Sequence, residues 1–123
     1  MSQGDPPKPT VEDALALARS GDVDGALALL EERDPDERTC SMLFMLLTAK
    51  DRHEEALRVA QLAQKGAKDA LARSTWRLRE GLTELQCGRT KEAQAVFTDV
   101  LRMKASEDHV QQAQASLLAT VKR

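Results

Sequence analysis

The stretch "GDVDGALALL", residues 21–30, occurs twice more in altered form along this 123-residue chain. Its counterparts are "DRHEEALRVA" at 51–60 and "GRTKEAQAVF" at 88–97. Each begins with a turn residue, continues through charged or polar residues, and reaches a small residue followed by an apolar helical face. The small residues are Ala26, Ala56 and Ala93. A repeat period of about 30 to 40 residues is typical of proteins built from stacked helical hairpins.

Capping signals and apolar periodicity predict seven helices and very short loops. The sequence "TVED" at 10–13 predicts a capping box, with Thr10 as N-cap and Asp13 three residues later. Asp51 with Glu54 predicts another cap, and Gly88 a C-terminal stop. The predicted helices run from Thr10 to Gly21, Val23 to Arg33, 36–50 with Pro35 opening the first turn, Asp51 to Lys65, 69–87, Thr90 to Lys104, and onward from Ser106. We therefore predict an all-α fold.

The amino-acid composition narrows the classes of fold, function and location to be considered. Charged residues make up 31% of the chain but leave a net charge of −2, which gives no field to attract nucleic acid or an anionic membrane. Asparagine, isoleucine and tyrosine are absent, which disfavours strands and indicates a G/C-rich, bacterial genome. The start "MSQGDPPKPT" lacks the apolar core of a signal peptide, and we expect a cytoplasmic protein. Cys40 and Cys87 are predicted to be reduced thiols that act as small core residues.

The repeated phrase resembles the second helix of the tetratricopeptide repeat: a turn glycine, a polar stretch, a small alanine and a bulky residue four positions later. The matching sets are Gly21, Ala26 and Leu30, and Gly88, Ala93 and Phe97, whereas the middle copy keeps Ala56 but has Asp51 and Ala60 at the flanking positions. The resemblance implies a right-handed α-solenoid of three helical hairpins over residues 10–105. Residues 1–9 would be a flexible leader and residues 106–123 a C-terminal capping helix.

Some positions depart from the family. Arg77, Glu80 and Glu84 stand where the family usually has large apolar residues, and the proline that usually closes a repeat is missing after the third. The run "MLFMLL" at 42–47 leaves no polar stripe, so we expect that helix to be buried nearly all round. The capping helix should bury one stripe, formed by Val110, Ala113, Leu117 and Val121.

By similarity to the family, the first helix of each repeat lines a concave groove that accepts a helical or extended segment of another protein. The predicted groove residues are Val11, Leu15, Ser41, Met45, Thr48, Leu78, Leu82 and Leu85. The apolar stripe of the fifth helix (Leu71, Thr75, Leu78, Leu82 and Leu85) has an equally good alternative as core packing. Arg73 and Arg77 are candidate anchors for an acidic partner, although with Glu80 and Glu84 they also fit a solvated charged face.

The chain lacks the motifs of most other functional classes. It has no phosphate-binding loop, nucleophile–base pair or cluster of acids, so we expect neither an enzyme nor a bound cofactor or metal. His53 and His109 are predicted to be exposed. Without asparagine, the carboxylate clamp of many tetratricopeptide domains is close to excluded.

The prediction is a cytosolic adaptor or chaperone, analogous to small tetratricopeptide chaperones and pilot proteins of bacterial secretion or surface machines. The alternative is a structural subunit of a homo- or hetero-oligomer with no exchangeable ligand.

Overall fold

The computed structural model describes residues 8–121, which contain helices and connecting turns without a strand. The helices are α1 (Val11–Arg19), α2 (Val23–Glu31), α3 (Glu37–Ala49), α4 (His53–Gly66), α5 (Ala70–Gln86), α6 (Thr90–Met103) and α7 (Glu107–Val121). The predicted all-α class is therefore confirmed. Residues 1–7 of the predicted leader and residues 122–123 of the predicted cap lie outside the described range.

The predicted caps are partly correct. Thr10 and Asp13 form the full capping box at the start of α1, and Ser106 Oγ accepts a hydrogen bond from the backbone N–H of His109 at the start of α7. Pro35 does not open α3, because Asp36 is the N-cap and accepts from the Thr39 N–H.

The predicted cap at Asp51 is wrong. Asp51 has a left-handed backbone (φ 58°), and the N-cap position of α4 belongs to Arg52, which makes no side-chain capping bond.

That left-handed residue is part of a turn that occurs three times. Gly21, Asp51 and Gly88, which open the three copies of the repeated phrase, all have positive φ angles, of 97°, 58° and 77°. The next residue in each turn donates its N–H across the turn to a carbonyl five residues back, always at 2.9 Å: Asp22 to Leu17, Arg52 to Leu47 and Arg89 to Glu84. This is the hydrogen bond of a Schellman motif. The repeated phrase thus encodes one hairpin turn, α1–α2, α3–α4 and α5–α6.

Each helix packs on the next along the chain, and α1–α3 and α5–α7 add contacts between second neighbours. The apolar core follows this order in three clusters. One joins α1 to α4 around Ala14, Leu30 and Leu47, and one joins α5, α6 and α7 around Phe97. Between them, a third cluster contains Cys40, Ala60, Ala63 and Trp76. Ala26, Ala56 and Ala93, the alanines of the repeated phrase, have no exposed surface.

Close approach of α5 and α6 depends on Gly81. A Cβ atom at this position would lie 2.6 Å from Cε1 of Phe97, well inside the normal carbon–carbon contact of about 3.5 to 4.0 Å. Phe97 itself is fully buried. The small residue at this position therefore allows the aromatic ring to lie directly against the backbone of α5.

Two expectations about burial are wrong. Helix α3 is not buried all round, since Met45 is 53% exposed and Met42, Leu43 and Phe44 are half-buried. In α7 the inward residue near the end is Thr120, which donates to Leu117 O and accepts from Gln94, whereas Val121 is 72% exposed. None of the helices within residues 8–121 is both long enough and apolar enough to cross a membrane.

Candidate functional site

The predicted groove residues are divided between core and surface. Val11 and Leu78 are buried, at 4% and 5% exposure, and belong to the clusters at the two ends of the molecule. They are therefore packing residues, and their assignment to the groove is wrong. Met45 and Leu82 are 53% and 42% exposed. The remaining positions are exposed at Thr48 and half-buried at Leu15, Ser41 and Leu85.

The apolar stripe of α5 is divided between the core and the surface. Leu78 packs in the cluster that contains Phe97, with Leu85 half-buried against the same cluster. Leu71 and Leu82, on either side of Leu78 along the stripe, are 52% and 42% exposed. The helix thus anchors itself through the centre of the stripe and leaves two large apolar side chains available at the surface.

Leu71 borders a cavity of about 580 Å³, which we name the α3–α5 cavity. It lies where α3 begins, α4 ends and α5 begins, and its lining includes Cys40, Ala63, Leu71, Ala72 and Thr75. Its volume is within the range of about 300 to 1,000 Å³ that is usual for ligand sites. Most of this lining is apolar. Burial raises the pKa of the Cys40 thiol, so this cysteine is a poor nucleophile and contributes to the lining as a small apolar group.

Charged groups surround the α3–α5 cavity because two helices start at its edge. Asp36 and Asp69 are the N-caps of α3 and α5 and accept from the backbone N–H groups of Thr39 and Ala72. The bond from the Thr39 N–H lowers the pKa of Asp36. Glu37, also in the lining, accepts a hydrogen bond of 3.1 Å from the indole nitrogen of Trp76. Lys68 is the basic residue of the lining. The rim therefore carries three carboxylates and one ammonium group.

Trp76 is packed between α3 and α5, in the same cluster as Cys40 and Ala63. Its ring is fully buried and meets Phe44 edge-to-face with 5.7 Å between the centroids. The guanidinium carbon of Arg79 lies 4.5 Å from the Trp76 ring centroid, which adds a cation–π contact. Glu37, Phe44 and Arg79 thus surround the indole and hold it in one orientation next to the cavity.

The charged face predicted for α5 is mostly internal. Arg77 pairs with Glu80 at 2.7 Å and also with Asp99 of α6, and Glu80 is only 5% exposed. Glu80 additionally accepts from Gln64 of α4 at 2.6 Å. The interpretation as a solvated face is therefore wrong, because these groups link three helices. Arg77 is also committed to these partners, whereas Arg73 is exposed.

A second buried acid follows the same arrangement one turn later. Glu84 is 7% exposed and pairs at 3.0 Å with Arg89 in the α5–α6 turn. Arg89 also pairs with Glu54 at the start of α4. Ion pairs thus occupy positions where the resemblance implied large apolar residues. Burying a charge is costly unless it is paired and hydrogen-bonded, and both glutamates meet that condition.

The histidines are less exposed than predicted, since both are half-buried. His109 Nδ1 lies 2.8 Å from the Ser74 hydroxyl, across the α5–α7 contact. This is the spacing of a nucleophile and its base, but Ser74 has no exposed surface, so a substrate cannot reach the hydroxyl. Across residues 8–121, His, Cys, Asp and Glu side chains form no group of three that could hold a metal ion.

Comparisons with known proteins do not add a family. No protein-family model matches the chain, and neither the curated proteins nor the solved structures contain a significant match.

Proposed function

We propose that this chain is a tetratricopeptide-like protein-interaction module that binds a segment of a partner protein. The observation that carries this proposal is the set of large apolar side chains left at the surface of α3 and α5. Met45, Leu71 and Leu82 are each between 42% and 53% exposed. Leu71 also lines the α3–α5 cavity, and exposed apolar side chains and cavities of this size are typical of recognition surfaces. The three hairpin turns of one geometry support the resemblance that suggested the module.

The proposed setting is the cytoplasm of a bacterium, where the chain would act as an adaptor or chaperone. Its balanced charge supports a protein partner over nucleic acid, since a net charge of −2 supplies no attraction for a polyanion. The chemistry of the described surface is apolar contact with flanking charges, and we propose no catalytic step.

Two substitutions test the module. Met45→Glu and Leu82→Glu place a carboxylate where an apolar partner segment would have to desolvate it. Because both side chains are about half exposed, we expect thermal stability by circular dichroism to change little while capture of the partner from the host is lost. Leu62→Glu is the matched control, since Leu62 is 47% exposed but lies on α4. Loss of helix in both test variants would show that these residues are packing and would contradict the proposal.

A second candidate function, a structural subunit, is favoured by one observation. Leu118 and Val121 are 59% and 72% exposed on the outer side of α7, which leaves an apolar surface at the end of the helical stack. A permanently bound partner subunit or a second copy of this chain would cover this apolar surface. The adaptor should purify alone as a monomer. A subunit should instead self-associate or require its mate, and Leu118→Glu with Val121→Glu should then yield a monomer.

A further inference from the structure

The α3–α5 cavity combines an apolar floor with a charged rim. Its floor is apolar, formed by the buried Cys40 and Ala63. Its mouth carries Leu71, which is 52% exposed although it lies within the first turn of α5. Covering half of a leucine side chain and the apolar floor would remove apolar surface from water, which favours binding of an aliphatic group.

The rim of the cavity is mainly acidic. The charged residues in its lining are three acids, Asp36, Glu37 and Asp69, and one base, Lys68. Asp36 is already paired with Arg33, but within residues 8–121 neither Glu37 nor Asp69 lies within ion-pair distance of a basic side chain. Glu37 Oε2 accepts a hydrogen bond from the indole N–H of Trp76, and Asp69 Oδ1 accepts one from the backbone N–H of Ala72. Both donors are uncharged. In the described part of the chain, the second oxygen of each carboxylate has no donor, and it remains available to a cation.

These features define the occupant. A purely aliphatic ligand would cover the floor but leave the rim carboxylates facing an uncharged group. A purely basic ligand would leave Leu71 and the floor in contact with water. We propose that the α3–α5 cavity binds a partner-protein segment in which a bulky aliphatic side chain lies next to a lysine or arginine. The aliphatic group would occupy the cavity and the cation would pair with Glu37 and Asp69. This inference rests on the proposed function, because it specifies the chemistry of the partner.

The molecule contains its own reporter for this binding. Trp76 is the single tryptophan of the chain, and its indole N–H donates to Glu37. A cation that pairs with Glu37 would change the field at the buried indole, so the emission of Trp76 should shift as the cavity fills. Isothermal titration calorimetry on the same samples gives the affinity independently of the reporter.

The test uses three synthetic peptides of equal length, with blocked ends. The first has two leucines flanked by arginines, the second has glutamates in place of the arginines, and the third has serines in place of the leucines. We expect saturable binding of the first peptide, with an emission change at Trp76, and affinity on the order of tenfold or more weaker for the other two. Added salt should weaken the first complex, because exposed ion pairs are screened. Equal binding of all three, or binding without a change in emission, would overturn the proposal.

Three variants locate the site. Glu37→Gln and Asp69→Asn remove charge but keep an acceptor for Trp76 and for the N-cap of α5, so folding should be retained. Leu71→Gln removes the exposed apolar group. Each variant should weaken the first peptide on the order of tenfold, whereas Leu62→Gln, an exposed leucine outside the lining, should bind as the wild type does. Unchanged affinity in all three cavity variants would place the peptide elsewhere and refute the inference.

Two further measurements distinguish failure of the cavity inference from failure of the proposed function, and a partner segment from a second copy of this chain. If the chain's native partner is lost in Met45→Glu and Leu82→Glu but retained in Leu71→Gln, the interaction module stands and the cavity inference fails. The chain's own "LLATVKR" at 117–123 also combines aliphatic and basic residues. Sedimentation equilibrium should show a monomer. Self-association that Leu71→Gln abolishes would assign the cavity to a second copy and overturn the partner segment.

Discussion

Replacing Gly81 with alanine should destabilise the protein, although the same change usually stabilises a helix. Gly81 lies inside α5, where alanine is favoured over glycine by about 1 kcal/mol. The added methyl group, however, would lie 2.6 Å and 2.9 Å from two carbons of the Phe97 ring. Restoring a normal contact requires a ring movement of about 1 Å. Phe97 is fully buried, so this movement would disturb the cluster around it.

Overpacking of a core typically costs about 1 to 3 kcal/mol, which exceeds the helix-propensity gain over most of that range. Taking the middle of that range, about 2 kcal/mol, and subtracting the gain of about 1 kcal/mol, we expect Gly81→Ala to lower the free energy of unfolding by about 1 kcal/mol. This is a fall in melting temperature of about 4 °C for a domain of this size. Gly66→Ala is the matched control, because no heavy atom lies within 4 Å of a Cβ there. That variant should be unchanged or more stable.

The assay is urea unfolding followed by circular dichroism on a double-mutant cycle of Gly81→Ala, Phe97→Leu and the two changes together. The smaller leucine should relieve the contact, so the two changes should be non-additive, with a coupling of about 1 kcal/mol. If Gly81→Ala is as stable as the wild type or more so, the close packing of Phe97 on α5 is refuted. If it is unstable but the cycle shows no coupling, the destabilisation has another source.

Three other predictions concern the turns, the end of the stack and acid sensitivity. Asp51→Gly should raise stability by about 0.5 to 1 kcal/mol in thermal melts, because glycine adopts the left-handed conformation of Asp51 without strain; a loss of stability would mean that the aspartate side chain matters more than its backbone. Deletion of 106–123 should expose the cluster around Phe97 and cause aggregation or a lower melting temperature. If deletion of 1–7 had the same effect, a special role for α7 would be contradicted. The hydrogen bond from the Thr39 N–H holds the pKa of Asp36 below its ordinary value of 3.8, so the stability that Asp36 contributes is present above that pH and is lost as pH falls through the folded-state pKa; Asp36→Ala should melt earlier at neutral pH and show a smaller further loss in acid than the wild type.

Features governed by local sequence were predictable. The capping box at Thr10 needs only residues three apart, and the left-handed turns at Gly21 and Gly88 follow from the preference of glycine for positive φ. The helix order and nearly all boundaries depend on the same short-range signals. Asp51 was misassigned because aspartate is both a good N-cap and one of the few residues that tolerate a left-handed backbone. Only the repeated phrase, which aligns Asp51 with two glycines, contained the signal to choose between them.

Features that depend on pairing between helices were not predictable. Glu80 appears solvated when only its own helix is considered, but Gln64 from α4 and the Arg77–Asp99 pair to α6 allow it to be buried. The α3–α5 cavity was missed for the same reason. Glu37 and Asp69 are far apart in sequence, and their common rim exists because the starts of α3 and α5 lie at one edge of the stack. The signal available beforehand was limited to two helix starts with acidic residues.

The division of the core into three successive clusters has a consequence for kinetics. Most contacts join helices that are neighbours along the chain, so few long loops must close before the core can form, and folding should be fast. The same arrangement lets the ends open separately: α1 and α2 can detach without exposing Phe97, and α7 without exposing Leu30. Amide exchange should therefore be graded, slowest near Trp76 in α4 and α5 and faster toward both ends. Helices α4 and α5, which both border the α3–α5 cavity, would then remain ordered while the ends of the molecule fluctuate.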